Sequence, residues 1–88
     1  MPFGQLLELG LLEPGQELSF GTKGDQTAQV LADGKLQYNG ERASIHQAAK
    51  QIMGAPANGW ELWYYLDRAD GTRRPINYLR DIVREQIK

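Results

Sequence analysis

The sequence predicts a small α+β domain, an antiparallel sheet of hairpins packed against two or three short helices. Three observations lead there. Asp33-Gly34 lies between Gln26–Ala32 and Lys35–Tyr38, and such a pair between strand-like segments is a strong two-residue hairpin signal. Ile45, Ala48, Ala49, Ile52 and Met53 fall at i, i+3, i+4, i+7 and i+8, one apolar helix stripe. Leu79, Ile82, Val83 and Ile87 form a similar stripe near the end of the chain.

Each element can be justified in order. Pro2 to Leu12 is rich in leucine, and a short helix through Gln5–Leu9, stopped at Gly10, is its simplest reading. Glu13-Pro14-Gly15-Gln16 is a turn, because proline presets φ and glycine accepts positive φ. Leu18-Ser19-Phe20 begins a strand, and the polar, glycine-rich Gly21 to Gly24 reads as a loop. After the Asp33-Gly34 hairpin, Asn39-Gly40 is a second tight turn. Ser44 is placed to cap the helix behind it, since its hydroxyl can accept an orphan backbone N–H. Gly54 ends that helix and Pro56 prevents its resumption. Trp60 to Leu66 reads as a strand, with Leu62, Tyr64 and Leu66 on one side and Trp63 and Tyr65 on the other. Asp70-Gly71 marks a further hairpin-like turn, and Pro75 suits the first turn of the terminal helix.

Composition bounds the function. Eighty-eight residues, 41% of them hydrophobic, support one domain with a modest core and no second. There is no cysteine, so disulfides and thiolate metal sites are excluded, which fits a reducing cytoplasm. The apolar runs are too short to span a membrane, and Met1-Pro2-Phe3 lacks the pattern of a signal peptide. The net charge of −1 conceals an asymmetry. Residues 1–34 hold Lys23 against Glu8, Glu13, Glu17, Asp25 and Asp33. Residues 68–88 hold Arg68, Arg73, Arg74, Arg80, Arg84 and Lys88 against Asp70, Asp81 and Glu85. A basic end of this kind can supply a local phosphate-binding face, or can be a solvated surface balanced by its own carboxylates.

Catalytic residues are not in evidence. The chain has one histidine and no cysteine, and neither G-x-x-x-x-G-K-[ST] nor G-x-G-x-x-G occurs. Recognition is better supported, because Ser44-Ile45-His46 and Asn58-Gly59-Trp60 bracket one helix with polar and aromatic groups. Ser44 can cap the helix or bond a phosphate, and His46 on the first turn is a surface residue or a base contact. Asn58 before glycine is either a turn residue or an amide able to pair bidentately with adenine. Trp60 is either core or a platform for an unpaired base. Arg80 can bridge to Asp81 or Glu85, or donate to phosphate or guanine. Arg73, Arg74 and Arg84 are candidates to neutralise phosphates.

These motifs carry a resemblance. From Met1 to Lys88 the chain resembles the C-terminal domain of β-class adenine N6 DNA methyltransferases, the GANTC-recognising, cell-cycle-regulated group. It rests on Pro2-Phe3-Gly4, Gly10-Leu11-Leu12-Glu13-Pro14-Gly15, Ala32-Asp33-Gly34, Ser44-Ile45-His46, Asn58-Gly59-Trp60, Trp63-Tyr64, Pro75-Ile76 and Leu79-Arg80. The chain is also similar to the wider domain associated with restriction enzymes and adenine methylases. The resemblance implies a DNA-recognition domain, residues 1–88, at the C-terminus of a larger bacterial restriction-modification-type methyltransferase. It implies that Ser44, Asn58, Trp60 and Arg80 contact DNA, and that Asn58→Ala or Trp60→Ala stops methylation while the domain stays folded. S-adenosylmethionine would belong to the separate catalytic domain, with no cofactor and no metal in this chain. The partners it implies are DNA and that catalytic domain, with a homodimer of the parent as a further state. Two rival readings are a stand-alone reader of modified DNA and a protein-interaction or dimerisation module built on Trp63, Tyr64 and Tyr65.

Overall fold

The computed structural model describes residues 3–86. It is an α+β fold: one six-stranded antiparallel sheet and four short helices. The elements run α1 (Gly4–Glu8), β1 (Glu17–Phe20), β2 (Thr27–Val30), β3 (Leu36–Tyr38), β4 (Glu41–Ala43), α2 (Ile45–Met53), α3 (Gly59–Leu62), β5 (Trp63–Asp67), β6 (Thr72–Pro75) and α4 (Asn77–Gln86). The strands lie in the order β4-β3-β2-β1-β5-β6. The first four therefore form a meander, and β5 returns to pair with β1 on its open side.

Alternation along the strands divides the sheet into two faces. Leu18, Phe20, Ala28, Val30, Leu36, Trp63 and Tyr65 point inward and are buried. They join Leu6, Leu12, Ile45, Ala48, Ala49, Ile76, Leu79 and Val83 in one core. The opposite face carries Glu17, Thr27, Gln29, Gln37, Arg42 and Leu66, all exposed. The result is two layers, with helices on one side of the sheet and water on the other.

The turns explain the register. Asn39 and Gly40 both take positive φ, at 54° and 80°, and Tyr38 pairs with Glu41 across a two-residue type I′ turn. The other hairpin is looser than its Asp33-Gly34 pair predicts. Leu31 N–H donates to Lys35 O and Gly34 N–H to Leu31 O, so Ala32-Asp33-Gly34 is a three-residue loop with Gly34 left-handed. A Cβ on Gly34 would lie 2.9 Å from Gly4 Cα, so this turn packs directly on the start of α1.

Ser44 caps α2 as expected. Its Oγ accepts the Gln47 N–H at 3.1 Å, while Gln47 Oε1 accepts the Ser44 N–H at 3.3 Å, a reciprocal capping box. Such a cap stabilises a helix by about 1 kcal/mol. Ile45, Ala48 and Ala49 are buried, but Met53 is 56% exposed and does not share the stripe.

Three expectations are corrected. Residues Gly59–Leu62 form a helical turn, α3, so the strand starts at Trp63 and not at Trp60. Pro75 ends β6, opposite Tyr64, instead of opening the terminal helix. That placement is permitted because β6 is an edge strand, where a missing N–H breaks no ladder bond. Glu41–Ala43 is a strand that no periodicity announced. Leu79 and Val83 of the terminal stripe are buried and Ile82 partly so, while Ile87 lies outside the described residues. Among the described residues no helix is long and apolar enough to cross a membrane.

Candidate nucleic-acid interface

The two motifs that bracket α2 are bolted together. His46, on the first turn of α2, accepts the Gly59 N–H on its Nδ1 at 3.0 Å. Trp63 donates its indole N–H to the Ile45 carbonyl at 3.0 Å. Gly59 lies so close to Ile45 that an added Cβ would sit 2.6 Å from the Ile45 carbonyl carbon and oxygen. Glycine is therefore required there by contact, whatever its φ. Asn58 then caps α3, its Oδ1 accepting the Trp60 N–H at 3.0 Å.

Ser44, Ile45, His46 and Trp60 line one cleft of about 380 Å³. Its other walls are Phe3 and Gly4 at the start of α1, and Asp33, Gly34 and Lys35 from the β2–β3 turn. Four separate stretches of sequence thus meet at one site. Sequence reasoning found Ser44, His46 and Trp60 but not Phe3 or Lys35. The signal was present only in the runs Pro2-Phe3-Gly4 and Ala32-Asp33-Gly34, whose glycines touch.

The polar side chains of the two motifs share one hydrogen-bonding pattern. Ser44 Oγ accepts the Gln47 N–H, which leaves its O–H free to donate. His46 accepts on Nδ1, so a neutral ring carries its proton on Nε2. Asn58 turns its Oδ1 inward to Trp60, and its NH₂ group faces away from that bond. Each side chain engages an acceptor internally and offers a donor. A bidentate adenine contact by Asn58 would need the Oδ1 that now caps α3.

Trp60 is 6% exposed, with Phe3 edge-on at 6.1 Å between centroids. The Arg80 guanidinium sits over its ring at 4.6 Å from the centroid. Arg80 is half-buried, makes no ion pair with Asp81 or Glu85 among the described residues, and has a buried Nε without a hydrogen-bond partner. A cation on a tryptophan face contributes about 0.5–2 kcal/mol. Trp60 is thus a seat for Arg80, and its ring is not free to stack on a base in this conformation.

The remaining arginines are elsewhere. Arg73 lies on the open sheet face, where its guanidinium donates to Ser19 Oγ, Gly21 O and Thr22 O at 2.6–2.9 Å and covers Tyr64. Arg74 pairs with Asp67 at 3.1 Å and Asp70 at 2.7 Å, and stacks on Tyr78. Its bond to Asp67 holds the guanidinium more firmly in its charged form, while the Thr72 hydroxyl and N–H hold Asp70 below the usual carboxylate range. Arg84 is exposed, 3.9 Å from Asp81, a pair of little energetic weight. Arg73 and Arg74 brace the fold, and the eight candidate residues do not form one basic face. Nor do Trp63, Tyr64 and Tyr65 make a docking stripe, because Trp63 and Tyr65 are core and Tyr64 lies under Arg73.

No group of three or more His, Asp or Glu side chains among the described residues is placed to hold a metal ion. A family model described as Restriction Enzyme Adenine Methylase Associated, RAMA, matches residues 1–88. The chain belongs to the RAMA family. RAMA is a domain associated with restriction enzymes and adenine methylases, distinct from their catalytic part. The cleft of this RAMA domain is where four of the sequence runs that suggested such a relationship come together.

Proposed function

We propose that this chain is the DNA-contacting accessory domain of an adenine N6 DNA methyltransferase of the GANTC-recognising, cell-cycle-regulated group. The observation that carries the reading is that Ser44 and His46 line one cleft, with Asn58 two residues before its Trp60 wall, and that each keeps a donor its internal bond does not use, in a methylase-associated domain. A donor-rich surface matches phosphate oxygens and the acceptor atoms of base edges, guanine O6 and N7 among them. Ser44 and His46 hold the backbone, and Asn58 donates to a base edge. Arg80, steadied on Trp60, reaches the same strand. S-adenosylmethionine is held by the catalytic domain of the parent, which works in the cytoplasm and to which residues 1–88 are the C-terminal domain. This chain needs no cofactor of its own.

Asn58→Asp tests the reading without disturbing the cap. Aspartate caps a helix as well as asparagine does, but it replaces the outward NH₂ with an acceptor oxygen. The variant is expected to melt with the wild type and to lose about tenfold or more in affinity for a GANTC duplex, since a good base contact contributes about 1–3 kcal/mol. Fluorescence anisotropy with GANTC and scrambled duplexes measures it. Equal binding by variant and wild type would remove Asn58 from the interface, and absence of wild-type binding at low salt would remove the DNA reading.

A further inference from the structure

We propose that Lys35, on the β2–β3 turn, is the phosphate-binding cation of the cleft. The inference rests on the DNA-contacting reading and names the charge it requires. Neutral donors alone orient a phosphate, whereas a fixed cation also gains from the release of condensed counterions.

Lys35 lines the same cleft as Ser44, His46 and Trp60. Its backbone is held from three sides. The left-handed Gly34 before it packs on Gly4, its own carbonyl accepts the Leu31 N–H at 2.8 Å, and Leu36 after it is fully buried. The ammonium therefore swings from a rigid base on a four-carbon stem.

Asp33 is the acid nearest in sequence, and both of its oxygens are taken. Oδ2 accepts Arg42 Nη1 at 2.8 Å and Oδ1 accepts the Lys35 backbone N–H at 3.1 Å. Among the described residues no ion pair forms to the Lys35 side chain, and the side chain is exposed. The arginines of the described residues nearest to it are placed differently. Arg42 is on Asp33, Arg74 on Asp67 and Asp70 and Arg73 on the far face of the sheet, while Arg80 lies against the Trp60 ring and is not on the cleft wall. Lys35 is thus the cation of the cleft wall whose charge is left for a ligand.

The test is the salt dependence of duplex binding by the full chain, read by fluorescence anisotropy for wild type, Lys35→Gln, Lys35→Arg and Lys23→Gln. Lys23 lies on the β1–β2 loop and not on the cleft wall, so it controls for the loss of one charge. Lys35→Gln is expected to weaken GANTC and scrambled duplexes alike and to lower the slope of log K against log salt by about one. Lys35→Arg keeps the wild-type slope, and so does Lys23→Gln. A wild-type slope in Lys35→Gln, with wild-type binding intact and an unchanged melting curve, overturns the assignment and leaves the DNA reading standing. An equal loss of slope in Lys23→Gln overturns it too, because the charge effect is then not local. Wild type that binds no duplex fails the underlying reading first, and the lysine with it.

Discussion

The cleft beside α2 and the hairpin of β5 and β6 are both rich in polar side chains, and they use them in opposite ways. At and beside the cleft, Ser44, His46 and Asn58 each accept one internal N–H and retain a donor for something outside. At the hairpin Arg73 donates four hydrogen bonds to the β1–β2 region, and Arg74 closes its own loop through Asp67 and Asp70. The cleft has few formal charges and much unused hydrogen-bonding capacity. The hairpin has more charge and almost none to offer. A basic stretch of sequence is therefore a poor guide to a phosphate face until its partners are known.

Trp60→Ala strikes the cleft hardest. Removing a buried indole that supports both Phe3 and Arg80 should cost about 3–5 kcal/mol, read by chemical denaturation. Loss of DNA binding would then accompany partial unfolding, contrary to the simpler expectation of a folded but inactive variant. A Trp60→Ala protein as stable as wild type would show that the ring is not core. Arg73→Ala probes the other region. It should lower stability by about 2 kcal/mol through the loss of charge-assisted bonds to Ser19, Gly21 and Thr22, and leave the salt slope of DNA binding unchanged. A reduced slope would return Arg73 to the interface and blur the contrast between the two regions. The finest test is His46. Alanine there should cost about 1 kcal/mol and speed hydrogen exchange at the Gly59 amide, whereas asparagine can place an oxygen near the Nδ1 position and restore protection. Equal exchange in both variants would deny the bond any role in joining α2 to α3.

Much of the fold was legible because it is local. The Ser44 cap, the Asn39-Gly40 turn and the apolar stripes of α2 and α4 depend on residues within a few positions of one another. The failures lie where distant contacts decide. Trp60 to Leu66 is aromatic enough to be strand throughout, yet Asn58 and His46 wind its first residues into a helical turn. Pro75 reads as a helix start unless one knows that its strand has no neighbour beyond it. The partners of the arginines were hidden for the same reason, since those of Arg73 are more than fifty residues away. Within the cleft, Ser44, His46 and Trp60 were legible from motif spacing. Lys35 was not, because only the packing of Gly34 on Gly4 brings its turn alongside them.

The bond between His46 and Gly59 ties the start of α2 to the start of α3. The hydrogen bond closes a loop of chain whose outermost residues, Gly54, Ala55 and Pro56, are all exposed. Since the closure is made by α2 and α3 themselves, the length of the intervening span is set by neither. Doubling such a span costs only about 0.6 kcal/mol in chain entropy. The domain thus has a built-in splice point, where a dye, a tag or an inserted peptide can be carried while the walls of the cleft stay as they are.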